Sequence, residues 1–384
     1  MNDCVTTQQI SRATWIEVHA ATLLNNVQAL KARLAPSTRL MAVVKGNAYG
    51  HDALAVADLV ADAGADWLAV ATPGEGLALR RHGSTLPILV LGYTPPWIVA
   101  AALKAGLTLT VDQEALLQHI AQIAHAEGYS APIHVKVNTG MNRLGLQPAA
   151  VAPFLEWARQ LPNLVLEGLF THFATADAPQ SRFFQQQVAE FQLLVNDLTA
   201  VGLRPPLVHA ANSAAMLYSP AVHFDLVRCG IALYGLHPDP QSAPLPPTIK
   251  PVLRWKAQVV HLTELQPGES VGYGQAFVAP THMTVATIPV GYADGFPRTP
   301  HNWQTVLLHG EEMPLVGRVC MDQAMIDVSG LVMRSQTVQV GDEVVLIGSQ
   351  GERMLTAEEI GRRTGTINYE VVSRILPRVP RLVV

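Results

Sequence analysis

The sequence predicts an α/β protein: an N-terminal TIM-like (β/α)8 barrel followed by a smaller, mainly β C-terminal domain. Three observations carry this reading. From Leu40 to about Tyr234, short apolar runs recur every ~20–30 residues, the period of repeated strand–helix units. His237–Pro251 then places six prolines in fifteen residues, which is linker composition. Beyond the linker, apolar runs are separated by glycine turns with little helical spacing. The expected domains are residues 13–245 and 246–384, with residues 1–12 left to pack against the second.

The expected barrel strands are Leu40–Val44, Trp67–Ala71, Ile88–Leu91, Leu107–Val111, Ile133–Val137, Val165–Phe170, Leu207–Ala210 and Leu226–Leu233. Short apolar runs of this length suit a parallel sheet covered on both faces. Thr22–Leu34 and Pro148–Gln160 have helical spacing, and Pro148 suits a first helical turn. Eight such units can close without an exposed edge and with every crossover right-handed, which favours a barrel over an open doubly wound sheet. After the linker, Val252–Leu262, Met283–Pro289, Thr305–Leu308, Glu312–Val316, Ala324–Val328 and Glu343–Ile347 read as strands. Thr356–Arg363 reads as a helix, with Thr356 as N-cap and Glu359 completing a capping box.

Composition bounds the function. Hydrophobic residues make up 49% and charged residues 15% of 384, as in a compact globular enzyme or binding protein. A net charge of −4 offers nothing toward nucleic acid or an anionic membrane. No apolar run reaches the ~20 residues that span a bilayer. Met1–Arg12 is polar and lacks the apolar core of a secretory signal. Cys4, Cys229 and Cys320 lie far apart, which argues against a disulfide framework and fits the cytoplasm. The 14 histidines form no HxxxH pair, so no metal site is expected.

The chemistry is concentrated where barrel strands end. Met41-Ala-Val-Val-Lys45 is an apolar run closed by a lysine, and a lysine partly desolvated at a strand end can form a Schiff base. Alone, it reads first as a solvated lysine in a loop after a strand, since strongly perturbed lysines are a minority. Strand five leads through Lys136 into Asn138-Thr-Gly-Met-Asn-Arg143. Strand six ends at His172, strand seven at Asn212-Ser213, and strand eight carries Arg228-Cys-Gly-Ile231. Singly, His172 reads as a hydrogen-bonded core histidine, Arg143 as an ion-pair arginine and Asn212-Ser213 as a turn or cap. Their convergence on one barrel face points to a ligand.

The sequence resembles the alanine racemases, pyridoxal-phosphate enzymes of the racemase-like barrel type, over nearly its whole length. The resemblance rests on Ala42-Val-Val-Lys-Gly-Asn-Ala-Tyr-Gly-His51, Asn138-Thr-Gly-Met-Asn-Arg143, Val271-Gly-Tyr-Gly274, Ile288-Pro-Val-Gly-Tyr-Ala-Asp-Gly295, Cys320-Met-Asp-Gln323 and Ile367-Asn-Tyr-Glu370. It implies racemisation of L- and D-alanine, either to supply wall precursors or for catabolism, with pyridoxal 5'-phosphate as cofactor. Lys45 would hold the cofactor and act as one acid/base, and Tyr273 of a second subunit in a homodimer would be the other. Arg228 would face the pyridine nitrogen, supported by His172. Tyr49, Asn212, Ser213, Gly230, Ile231 and Tyr369 would surround the phosphate. Arg143 would contact the cofactor's phenolic oxygen and the substrate carboxylate, Met321 of the partner subunit would bind that carboxylate through its backbone amide, and Lys136 matches a lysine that many members carbamylate. Tyr292, with Tyr369, would narrow the entrance, while Arg298, Cys320 and Asp322 would lie near the catalytic tyrosine. Asp322 alone also reads as a turn cap, and Cys320 as a small apolar residue. Cys229 departs from the proline that the family commonly has there.

Three other readings share part of the pattern. A decarboxylase of the same fold would share the Lys45 motif but offer the pyridine nitrogen a carboxylate where this chain has Arg228. A non-catalytic cofactor carrier would lack the C-terminal domain. A metal-dependent barrel hydrolase would need histidine spacings absent from this chain. A racemase of broader specificity stays open, because pocket dimensions discriminate by only ~1–3 kcal/mol per methylene.

Overall fold

The computed structural model describes residues 10–239, 245–299 and 302–384; residues 1–9 of the N-terminal segment and 240–244 of the linker lie outside them. The chain divides into two compact units, Ala21–Lys250 and Pro251–Val384, the latter joined by the segment that ends at Ala20. Residues 13–20, given to the barrel in the sequence reading, thus fall in the β unit, and the break falls at 250/251 instead of 245/246. The cause is strand β1 (Thr14–Val18), whose partners all lie in the β unit.

The first unit is a barrel of eight parallel strands: β2 (Arg39–Val43), β3 (Trp67–Val70), β4 (Ile88–Val90), β5 (Leu107–Val111), β6 (Ala131–Lys136), β7 (Leu164–Phe170), β8 (Leu207–His209) and β9 (Leu226–Cys229). Their order is β8-β7-β6-β5-β4-β3-β2-β9. The β8–β9 seam is bridged by Asp225 N–H to Val208 O and Arg228 N–H to Ala211 O, both 3.0 Å, so the sheet is nearly closed. Every residue of β3, β4, β5, β8 and β9 is buried, as expected where helices cover the outer face and packed side chains fill the interior. The sequence run Leu226–Leu233 is not one strand. It stops at Cys229, Gly230 turns the chain, and Ile231–Tyr234 forms a 3-10 turn. Helices start where their signals stand: Thr72 and Glu75 form a reciprocal capping box on Pro73–His82, and Pro148 opens Pro148–Ala158.

The second unit is built on a ten-stranded sheet. Its main strands are β10 (Leu253–Gln258), β11 (His261–Leu265), β14 (Met283–Ile288), β15 (Thr305–Leu308), β16 (Glu311–Val316), β17 (Ala324–Asp327), β18 (Glu343–Gln350), β19 (Arg353–Leu355) and β20 (Arg381–Val383); the hairpin β12 (Ser270–Val271) and β13 (Phe277–Val278) stands apart. The order is β11-β14-β17-β16-β15-β18-β10-β1-β20, with β19 beside β18, and among the described residues only the β1–β20 pair of this sheet is parallel. The expected strand Val252–Leu262 is two strands with a break after Gln258. Trp255, Phe296 and Trp303 form an aromatic core, Trp255 meeting both partners edge-on at 6.1 and 5.7 Å. Thr356 caps Ala357–Thr364, but Glu359 turns to Arg363 and leaves the expected capping box half formed. Among the described residues, no helix is long and apolar enough to cross a membrane.

Candidate active site

In the barrel unit, the candidate residues gather at the C-terminal ends of the strands, where such barrels carry their chemistry. Lys45 lies two residues past β2 and opens a turn wound left-handed: Gly46 (φ 61, ψ 43), Asn47 (54, 48) and Ala48 (53, 49), with φ 54 at Tyr49. Side chains with a Cβ resist this region by roughly 1–2 kcal/mol each, so the turn must be held from outside. Glu75 accepts from Gly46 N–H at 2.7 Å and from Ala71 N–H at 2.8 Å, and Asn47 Oδ1 accepts from Ala53 N–H at 2.8 Å. The turn brings the Tyr49 hydroxyl against Gly230, where an added Cβ would lie 2.5 Å from the oxygen. Only glycine fits there. Burial raises the Tyr49 phenol above its ordinary pKa, so it stays a neutral donor.

Arg228, third in β9, is buried and fixed on several sides. Its Nη1 donates to His209 Nδ1 at 2.8 Å; its Nη2 donates to Thr171 O at 2.9 Å, Ala210 O at 2.8 Å and His172 Nδ1 at 3.2 Å. A guanidinium has five N–H donors and no acceptor, so both imidazoles must present a lone pair to it. The Nε–H and one Nη1–H have no partner among the described residues. Burial depresses Arg228 to about 9. It also lowers His172 well below its ordinary value, helped by Arg228, which keeps that ring neutral.

Three further cations stand near Arg228. Lys45 is lowered first by burial and then by Arg143, with Glu75 opposing and Arg228 adding a smaller effect. Lys136, at the end of β6, is buried and depressed to about 7, again by burial first and by Arg228 and Arg143 next. Its ammonium lies 4.7 Å from the Phe170 ring centre, and the Arg228 guanidinium lies 5.3 Å from the same ring. Arg143 is exposed on the loop after β6, which Asp112 anchors by accepting from Gly145 N–H at 2.7 Å. Ser213 opens a helix capped by Asn212, whose Oδ1 accepts from Ala215 N–H at 3.0 Å. Ser213 Oγ accepts from Gly230 N–H at 2.9 Å, and the Ile231 N–H has no partner among the described residues. Cys229 lies 3.6 Å from Ser213 Oγ, and burial pushes its thiol up to about 12, which leaves it inert.

In the β unit, Gly272, Tyr273, Cys320, Met321, Asp322 and Gln323 line one cavity of about 640 Å³. Tyr273 is 64% exposed and Met321 52%, unusual for such side chains. The Arg298 guanidinium lies 5.8 Å from the Tyr273 ring centre. Tyr292 donates its backbone N–H to Cys320 O at 3.1 Å, and Ala293 N–H bonds Met321 O at 3.0 Å. Asp322 is held by Arg378 Nη2 at 2.6 Å. Tyr369 is half-buried on the helix Asn368–Ser373, further along this unit. Sequence reasoning gave no role to His209, Thr171, Glu75 or Asp112. His209 could have been found as a polar residue at the end of an apolar strand and Glu75 as the capping-box partner of Thr72, but Asp112 bonds the backbone N–H of Gly145, 33 residues on, and has no motif.

The family model for the alanine racemase N-terminal domain matches residues 18–238, and that for the C-terminal domain matches 252–383. The chain is 44% identical over 370 residues to the alanine racemase of Symbiobacterium thermophilum, covering 96% of this chain and 97% of that one. It is 42% identical over 377 residues to the alanine racemase of Geobacillus stearothermophilus, covering 97% and 93%. The crystal structure of alanine racemase from Bacillus anthracis with bound L-Ala-P superposes with a TM-score of 0.91 at 38% identity, covering 97% and 95%. Matches of this extent to both domains leave one assignment: the chain belongs to the alanine racemase family of isomerases.

Proposed function

We propose that this protein is a cytoplasmic, homodimeric, pyridoxal-phosphate-dependent racemase that interconverts L- and D-alanine, with Lys45 and the partner's copy of Tyr273 as acid/bases on opposite faces. The observation that carries this reading is a lysine of depressed pKa among three further cationic side chains at the C-terminal end of a parallel barrel. Such a cluster suits an anionic ligand that an amine can capture.

The residues present fit the cofactor. Tyr49, Ser213, Tyr369 and the N–H groups of Gly230 and Ile231 would hold its phosphate, with Asn212 fixing the turn. The unpartnered N–H groups of Arg228 would meet the pyridine nitrogen, and Lys45 would bind the aldehyde carbon. When bound, the cofactor supplies an electron sink for the α-carbon. Arg228 cannot readily surrender a proton, so it holds the pyridine nitrogen unprotonated and favours prompt return of a proton to the substrate carbon. Arg143 binds the substrate carboxylate together with the N–H of the partner's copy of Met321. Lys136, partly a neutral amine near pH 7, is apt for carbamylation; the resulting anion would orient Arg143.

Inversion needs one group to remove a proton and a second, on the other face, to deliver one. Burial and then Arg143 lower the Lys45 ammonium from its ordinary range, which eases release of its proton from Nζ and the return of one. Tyr273 offers a phenolic hydroxyl with Arg298 beside its ring. The exposure of Tyr273, Tyr292 and Met321 supports a second subunit covering this face. Tyr292 and Tyr369 would leave room only for small side chains.

The test is subunit complementation between Lys45→Ala and Tyr273→Phe, each inactive alone. If sites are shared, randomly mixed dimers are half heterodimers with one intact site each, giving about a quarter of native activity. No recovery after verified exchange would show that sites are not shared.

A further inference from the structure

A chain of buried polar groups continues from Arg228 into the barrel, and the reaction proposed above makes no use of its far half. His209 Nδ1 accepts from Arg228, so this neutral ring carries its proton on Nε2. That nitrogen lies 2.8 Å from His134 Nδ1, which must then accept. His134 in turn is protonated on Nε2. This atom has no hydrogen-bond partner within ordinary criteria among the described residues and faces Glu167 Oε2 at 3.5 Å. Both histidines are fully buried. Glu167 is 29% exposed, so water still reaches its carboxylate.

The local backbone is shaped around this chain. The β6–β7 register slips at Ile133/His134: Ile133 pairs with Leu166 and His134 with Gly168, leaving Glu167 as a bulged residue. A bulge is rare between parallel strands and serves to re-aim a side chain. Gly168 lies so close under the His134 ring that a Cβ would stand 2.5 Å from Nδ1. Thr108 Oγ1 donates to Glu167 Oε2 at 3.1 Å and steadies the carboxylate. His209 stacks on Phe170 at 4.7 Å with an interplanar angle of 3°, and His134 packs against Trp67.

We propose that Glu167 is a positioning residue for Arg228, acting through a fixed proton order that runs Glu167, His134, His209, Arg228. By facing the His134 Nε2–H at 3.5 Å, the carboxylate favours the Nε2–H tautomer of both rings and keeps a lone pair against the guanidinium. The reversed order would set His209 Nδ1–H against Arg228 N–H, two donors face to face. The effect on catalysis rests on the reading of Arg228 given above; the tautomers do not.

The experiment is nitrogen NMR of the purified protein labelled with 15N-histidine, with His134→Gln and His209→Gln for assignment. Both rings are expected to be protonated at Nε2 and bare at Nδ1. Glu167→Leu should switch at least one tautomer and lower kcat on the order of tenfold with the KM for alanine unchanged. Glu167→Gln, whose amide oxygen accepts the same proton, should restore both. The proposal fails if His209 of the native protein is protonated at Nδ1, a result independent of whether Glu167→Leu folds. It also fails if Glu167→Leu moves one readout without the other. Inactivity of the native protein would fall on the racemase reading alone, since the tautomers are read without substrate.

Discussion

Replacing Lys136 by methionine keeps an unbranched stem of similar length and removes a buried cation. Lys136 is depressed from 10.5 to about 7, chiefly by burial and then by Arg228 and Arg143. For a base lowered by folding, the unfolded chain binds a proton that the folded chain lacks between about pH 7 and 10.5. Stability therefore rises with pH across that window, by about 1.4 kcal/mol per unit for this one group. Below pH 7 the folded state carries the full penalty, roughly 5 kcal/mol. At pH 9 about 2 kcal/mol of it remains, so some 3 kcal/mol of the difference between native protein and Lys136→Met should vanish from pH 6 to pH 9. The direct assay is proton uptake on urea unfolding at pH 8–9, in weakly buffered solution free of carbon dioxide so that the amine stays unmodified. It needs no two-state assumption, which a two-unit chain would violate. The native chain should take up about one proton more than Lys136→Met. Equal uptake would mean that Lys136 stays charged in the folded barrel, and would refute the burial argument.

Two further changes test the packing around these sites. Gly168→Ala places a Cβ within 2.6 Å of three atoms of the His134 ring. Hemmed by Trp67 and His209, the ring cannot swing clear, and thermal unfolding should show a loss of about 3 kcal/mol. An unchanged melting temperature would contradict the close contact. Asp294 is buried and receives Arg12, Arg378 and the Gly291 N–H. Burial alone would raise its pKa, but the arginine hydrogen bonds outweigh this and lower it. A depressed carboxyl stabilises above its unfolded pKa and loses that contribution as pH falls through the folded one. Asp294→Ala should cost about 2 kcal/mol at pH 7, discounted for the partly exposed arginines, and the cost should shrink in acid. Equal denaturant midpoints for variant and native protein at pH 7 would count against the network.

What was legible in the sequence follows from how local each signal is. Strand period, Pro148 at its helix start and the apolar approach to Lys45 are properties of adjacent residues, and they stand in the fold as read. Residues 13–20 read as part of the barrel because the β10 partners of β1 lie more than 230 residues away, and no local pattern encodes that pairing. The run Leu226–Leu233 reads as one strand because Gly230 interrupts it by conformation, not by polarity. At the site, residues within motifs could be named from the chain alone. The left-handed turn after Lys45 and the proton order behind Arg228 could not: the turn leans on Glu75, from the helix after β3, and the proton order on contacts between strands far apart in sequence.

The central claim is stereoinversion at the alanine α-carbon by two groups, one of them Lys45. Its most direct measurement is the D-alanine formed from L-alanine, and the reverse, by the native protein supplied with pyridoxal 5'-phosphate, beside Lys45→Ala and Tyr273→Phe. Native protein should bring either enantiomer to the racemic mixture, and both variants should leave it optically pure. Persistence of the starting enantiomer with native protein, or full racemisation by either variant, would contradict the account.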